Sequence, residues 1–233
     1  MCCTSSRKVQ YRKSYGRRPF YNVLVHNKEG GYGMSHLDYS AFQIINHLAV
    51  SDRFLNPLMI FLAEKAQYLF FIAIIFYWFY PKANNRKMIV EAILSACIAL
   101  SLNGVIGHFY YRARPFVAHH VNWLIPHARN ASFPSDHATA AFVIATAIWI
   151  WIKRDGWIWL VLAAGIAVSR VWTGVHYPLD VTAGMLIGVS VALAVHYLFA
   201  QSDKLNQFIE RIIGVYESVE GTILKKTNLL RKR

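Results

Sequence analysis

Cysteine is scarce in this chain, and so is charge. Of three cysteines, Cys2 and Cys3 stand near the start and Cys97 lies in an apolar run. They supply no disulfide framework and no paired-cysteine zinc pattern; Cys97 reads as a small buried apolar residue. Acidic residues number only 12 in 233, none grouped as a metal ligand set, so no metal and no cofactor is expected. Charged residues make up 16% of the chain against 55% hydrophobic and 15% aromatic. With a mean hydropathy of +0.29, that composition excludes an ordinary soluble domain. Internal repeats and low-complexity tracts are also missing, and no apolar signal-peptide core precedes residue 54.

What the chain has is apolar length. Five runs, 54–80, 88–110, 137–152, 157–174 and 178–200, are candidates for membrane spans, which need about 20 mostly apolar residues. The third and fourth are short. Pro178 opens the fifth at a natural first-turn position. The stretch 37–50 has apolar residues at helical spacing and is expected as a short interfacial helix. The stretch 203–223 is amphipathic and is expected as a surface helix. An all-α polytopic membrane bundle of about five spans follows, with domain 34–200 and a basic amphipathic tail 201–233. The net charge of +13 is also a nucleic-acid binder's property, but five apolar runs exclude a soluble one.

Basic residues orient the bundle. Lys82, Arg86 and Lys87, then Lys153 and Arg154, then seven Lys/Arg in the tail flank alternate ends of the runs. The positive-inside rule puts all three on the cytoplasmic side and places 111–136 and 170–177 together on the other. Residues 1–33 conflict with this, since seven Lys/Arg and one Glu would face outward. Natural translation from Met34 resolves the conflict, with purine-rich codons at Lys28-Glu29-Gly30 as a ribosome-binding sequence; the rival reading is a basic tail on anionic lipid.

The two outward loops hold Arg112, Arg114, His119, His120, His127, Arg129, Asp136, His137, Arg170 and His176. Guanidinium forks suit phosphate oxygens. Ser132 and Ser135 bracket Pro134 before the third run, whose first turn offers free N–H groups and a positive dipole end. His137 and His176 can carry protons or attack phosphorus, and Asp180, four residues after His176, can fix its tautomer. Each has a plainer reading. Asp136 is a first-turn acid complementing a dipole, His176 a satisfied loop histidine, and Arg170 a cation snorkelling to the membrane edge. Loop polarity accounts for His119, His120 and His127. Glu64 and Lys65, inside the first run, pair with each other or another helix, or lie near a substrate headgroup. A proton-coupled transporter is a further reading, although transporters place such groups near the midplane.

The stretches "RARPF" (112–116), "FPSDH" (133–137) and "SRVWTGVHYPLD" (169–180) resemble the three motifs of the type 2 phosphatidic acid phosphatase (PAP2) superfamily. Within it, 112–185 is similar to the bacitracin-resistance-type undecaprenyl diphosphatases of bacteria. The resemblance implies a PAP2/haloperoxidase-like bundle in the bacterial cytoplasmic membrane, with its site facing outside. It implies a polyprenyl diphosphate substrate among membrane lipids, no nucleic acid and no obligatory metal. His176 would attack the terminal phosphorus, Asp180 would orient it, and His137 would protonate the leaving oxygen. Arg114, Arg170 and Ser135 would hold the phosphoryl oxygens. Phosphatidylglycerophosphate, phosphatidic acid and lipid A are the alternative substrates. The superfamily's lysine seven residues before the first-motif arginine is replaced by Gly107, leaving Arg112 or a histidine to supply that charge. Asp136, where glycine is frequent, is expected to point away from phosphate, capping the helix or pairing with an arginine.

Overall fold

The computed structural model describes residues 32–80 and 84–231, with side chains from 36 to 223. The arm 1–33 and its Met34 start therefore fall almost wholly outside the described residues, as does the 81–83 part of the first basic link. The described chain is helical: α1 Tyr32–Ser51, a 3-10 turn Arg53–Leu55, α2 Asn56–Glu64, α3 Gln67–Phe79, α4 Asn85–Phe109, α5 Pro115–Ala118, α6 Asp136–Trp151, α7 Lys153–Trp172, α8 Pro178–Gln201 and α9 Asp203–Arg231.

Three helices, α4, α7 and α8, are each long and apolar enough to span a bilayer. The first apolar run is not straight: α2 and α3 bend by 50° across Lys65 and Ala66 and together make a fourth candidate. At the bend, Lys65 N and Ala66 N both donate to Phe61 O, so the backbone stays satisfied where the helix breaks. Glu64 and Lys65, expected as a pair or as interhelical partners, make no close ion pair among the described residues, but Glu64 lies within electrostatic range of Arg170 on α7. Helix α6, at 16 residues, is shorter than a full span and forms the centre of the bundle, with Ala138, Ala141, Val143, Ala145 and Ile148 buried. A helix sheathed by others on most sides carries no continuous lipid-facing stripe, which explains its weak amphipathic pattern.

Small residues set how closely α6 and α8 approach. A Cβ at Gly184 would lie 2.7 Å from Ser135 O and 2.9 Å from Thr139 Oγ1, and one at Gly188 2.7 Å from Thr139 O. This is close small-residue packing, which contributes contact energy where lipid gives no hydrophobic drive. Gly184→Ala is expected to destabilise the protein by about 1–3 kcal/mol through overpacking and to displace Ser135. A lower melting temperature in detergent checks it. Around the bundle, Phe71, Ile72, Ile75, Ile98, Leu102, Val105, Leu186 and Leu193 face outward, as lipid contact requires.

The end carrying the basic links is closed by polar locks. Glu91 on α4 accepts from Trp151 Nε1 at 3.0 Å and lies 2.9 Å from His196 Nδ1, joining α4, α6 and α8. Arg86 pairs with Glu217 and Glu220 and so ties α9 to the bundle, while Ile209 supplies the apolar anchor beneath. Helix α1 covers the opposite end. Asn46 donates to Asn122 O and Trp172 O, and Asn122 returns a bond from its N–H to Asn46 Oδ1. More than the interfacial helix expected over 37–50, α1 is pinned by buried polar side chains.

Candidate active site

The loop after α4, the first turn of α6, the end of α7 and the first turn of α8 meet at the end covered by α1. The turn joining α7 to α8 is tight: Val175 N and His176 N both donate to Arg170 O, and Gly174 takes φ +82. A side chain there would be strained and would strike Asn122 O. Pro178 then starts α8, and Asp180, three residues after the N-cap Tyr177, accepts the Tyr177 N–H at 2.8 Å. The cap that begins α8 thus fixes Asp180 next to the histidine.

His176 is 2% exposed and Asp180 is fully buried. Asp180 Oδ2 lies 3.5 Å from His176 Nδ1 and also accepts from Ser132 Oγ. Asp180 Oδ1 accepts from Arg112 Nη1 at 2.8 Å. Across the ring, Arg114 Nη1 is 2.9 Å from His176 Nε2. A guanidinium donates only, so Nε2 carries a lone pair and the ring proton sits on Nδ1, toward Ser132 and Asp180. Burial, reinforced by Arg114 and Arg170, holds His176 well below its ordinary value of 6.5. The imidazole is therefore neutral, with its nucleophilic nitrogen presented to an arginine.

Arg114 spends Nε on Asn130 Oδ1, Nη2 on Ala131 O and Nη1 on Val175 O as well as on the imidazole. One of its five N–H groups is left over. Burial lowers it to about 10, which leaves it charged near neutrality. Arg170, 2% exposed, donates from Nη1 to Ala63 O at the end of α2. Its Nε and Nη2 have no partner, and neither does the buried Ser135 Oγ. Such donors are costly unless something accepts from them. Ser135 is also the N-cap of α6, so its hydroxyl stands beside a helix's free N–H groups. Unpaired donors grouped in this way can accept the oxygens of a tetrahedral anion.

His137 on the first turn of α6 lies within electrostatic range of Arg170, His176, His127 and Arg114. The structure thus brings together His176, Asp180, His137, Arg114, Arg170 and Ser135. Arg112 stands apart from that use: its terminal nitrogens engage Asp38 and Asp180 and its guanidinium lies 3.9 Å over the Tyr177 ring. It reaches the site through the Asp180 carboxylate. Asp136 stands in the first turn of α6, as expected of an acid that complements the helix dipole, and its side chain accepts from Asn103 Nδ2 at 2.9 Å where an arginine was the other expected partner. Gly107 lines a cavity beside it with Asn103, Asn130 and Phe133.

Sequence patterns missed Ser132 as a partner of Asp180, Asn130 as a partner of Arg114, and His127. The His127 ring stands 6.1 Å from His176, and burial, with Arg114 and Arg170 nearby, lowers it to about 4. His119 instead stacks on Tyr39 at 4.1 Å, while Arg129 is exposed.

The chain resembles known proteins. A family model described as the PAP2 superfamily matches residues 88–204. The bacitracin transport permease protein BcrC of Bacillus licheniformis is 40% identical over 195 residues, covering 83% of this chain and 94% of its own. The undecaprenyl-diphosphatase BcrC of Bacillus subtilis is 33% identical over 191 residues, covering 82% and 97%. Among solved structures, Aquifex aeolicus LpxE superposes with a TM-score of 0.59 at 28% identity, covering 69% of this chain and 95% of that one. A helical bundle with its histidine and arginine cluster at one end, three motifs in order and relatives matched over nearly their whole length lead to one conclusion: the chain belongs to the PAP2 superfamily.

Proposed function

We propose that this membrane phosphatase hydrolyses undecaprenyl diphosphate to undecaprenyl phosphate through a phosphohistidine, recycling the lipid carrier of cell-wall synthesis. The observation that carries the chemistry is the set of unpaired buried donors, Arg170 Nε, Arg170 Nη2 and Ser135 Oγ, beside a neutral histidine. Phosphoryl oxygens occupy those donors and take over the Arg114 Nη1 contact, which frees Nε2. Nε2 then forms a bond to the terminal phosphorus as the bridging P–O bond breaks, and His137, which enters this step as the imidazolium held by the negative charge of the bound diphosphate, gives the leaving lipid phosphate its proton. The imidazole becomes cationic at that moment, and Asp180 stabilises it. In the second half, His137 takes a proton from water, whose oxygen attacks phosphorus and breaks the P–N bond. Inorganic phosphate leaves and the neutral imidazole returns. Catalysis here is positioning plus electrostatic stabilisation.

Because burial and two arginines depress His176, the competent neutral form persists as the pH falls. The acid limb of kcat/KM, which reports the free enzyme, is expected below pH 6.5; a limb at or above 6.5 contradicts the assignment.

The substrate reading is supported by the resemblance to the undecaprenyl-diphosphatase of Bacillus subtilis. Purified protein is tested against undecaprenyl diphosphate, phosphatidylglycerophosphate, phosphatidic acid and lipid A in one detergent. The expected result is the highest kcat/KM on the diphosphate, and preference for phosphatidylglycerophosphate overturns it. One relative's name, a transport permease, favours a second reading as a transporter, which predicts no phosphate release at all. The proposed orientation, in the bacterial cytoplasmic membrane, puts Arg86, Lys87, Lys153 and Arg154 inside and the catalytic end outside. Cysteines placed in the 111–136 loop are expected to react with a membrane-impermeant reagent in intact cells.

A further inference from the structure

Asp38 lies on α1, 74 residues before Arg112 and outside all three motifs. Its side chain is 1% exposed, an expensive position for a carboxylate unless it is fully paired. It is: Oδ2 accepts from Arg112 Nη2, and Oδ1 accepts the Leu179 N–H at 2.9 Å, in the first turn of α8. Arg112 in turn donates from Nη1 to Asp180 Oδ1, whose other oxygen faces His176 Nδ1. A continuous chain of charges therefore runs from α1 to the imidazole: Asp38, Arg112, Asp180, His176.

We propose that Asp38 is a positioning residue for phosphoryl transfer, holding Arg112 on Asp180 and setting the charge behind His176. The inference rests on His176 as the nucleophile. Two carboxylates and one guanidinium leave one net negative charge behind the ring, which matches the positive charge the ring acquires on attack. Without Asp38 the set is neutral, and the cationic imidazole faces an Asp180 whose charge is already matched by Arg112. Arg112, whose side chain is 20% exposed, is then also free to turn from Asp180 toward bound phosphate. Since the charge matters once the ring is cationic, its loss falls on kcat and not on KM. A mere tether of α1 to α8 would instead alter stability and leave turnover of the folded protein intact.

The test is steady-state kinetics of full-length Asp38→Asn, Asp38→Glu, Arg112→Gln and the Asp38→Asn/Arg112→Gln double variant on undecaprenyl diphosphate in detergent, with His176→Ala alongside. Asp38→Asn is expected to lower kcat about 10- to 100-fold, by analogy with the loss when a hydrogen-bonded partner behind a metal-ligating histidine is removed, with KM little changed. Asp38→Glu recovers part of the loss. Added to Arg112→Gln, Asp38→Asn lowers kcat no further, because it acts through that guanidinium. Wild-type kcat in folded Asp38→Asn, a rise in KM alone, or additive losses in the double variant overturn the proposal. Should Asp38→Asn not fold, Asp38→Glu decides: reduced kcat at unchanged KM supports it and wild-type kcat overturns it. Activity in His176→Ala overturns the nucleophile reading itself, whereas an inert His176→Ala beside a fully active Asp38→Asn overturns this inference alone.

Discussion

His176→Ala is expected to reduce phosphate release by about 10^4-fold or more, the scale on which removing a nucleophile acts when the remaining site still binds. The substitution also removes the acceptor for Arg114 Nη1. That guanidinium keeps its contacts to Asn130, Ala131 and Val175, so the fold and the phosphate receptor should persist. Binding of a diphosphate lipid is therefore expected to survive while turnover is lost. Isothermal titration of the variant beside its kinetics separates the two. Phosphate release near the wild-type rate would remove His176 from the chemistry and favour a different role for these loops.

Arg170→Met is expected to have the second largest effect, and of opposite sign on activity and stability. Arg170 makes a single bond, to Ala63 O, while its Nε and Nη2 are buried without acceptors. In the free protein this is a standing cost that Glu64, within electrostatic range, offsets only in part, and in the proposed transition state the same donors meet growing charge on phosphoryl oxygens. Loss of one such preorganised donor costs about 10^2–10^3 in kcat. Relief of the buried charge should raise the melting temperature of the variant in the absence of ligand. Orthovanadate, a phosphoryl mimic, should stabilise wild type by about 2.7 kcal/mol at 100 times its Kd and leave Arg170→Met unmoved. Arg170→Lys is not a conservative rescue, because one ammonium cannot reproduce the planar fork. A variant with lower stability and full activity would show Arg170 to be structural.

The residues to which the proposed chemistry is assigned were legible as a cluster because each sits where backbone geometry restricts the spacing. His176 and Asp180 are four apart across a helix start, with Pro178 and the cap at Tyr177 leaving one way to fold. Arg114 and the "FPSDH" stretch are fixed by prolines at helix beginnings. The supporting layer was not legible, since it depends on long-range contacts that no local period encodes. Asp38 looks like one polar residue on an amphipathic helix, and only the packing of α1 on α8 brings it to Arg112. The bend after Glu64 has no proline or glycine to announce it, yet it delivers Ala63 O to Arg170. The bundle was legible from apolar length, whereas the short central α6 departs from the membrane-span template because neighbouring helices shield most of it.

The most direct measurement is chemical trapping of the intermediate. Enzyme mixed with undecaprenyl diphosphate carrying radiolabel in its terminal phosphate is quenched within milliseconds in alkali, where phosphohistidine survives and phosphoserine esters eliminate, then digested and mapped by mass spectrometry. A phosphohistidine mechanism at this site predicts label on the peptide holding His176, at Nε2, absent from His176→Ala and accumulating where His137 is replaced. Label on His127 or His137 in its place, or turnover with no labelled peptide at all, would contradict it.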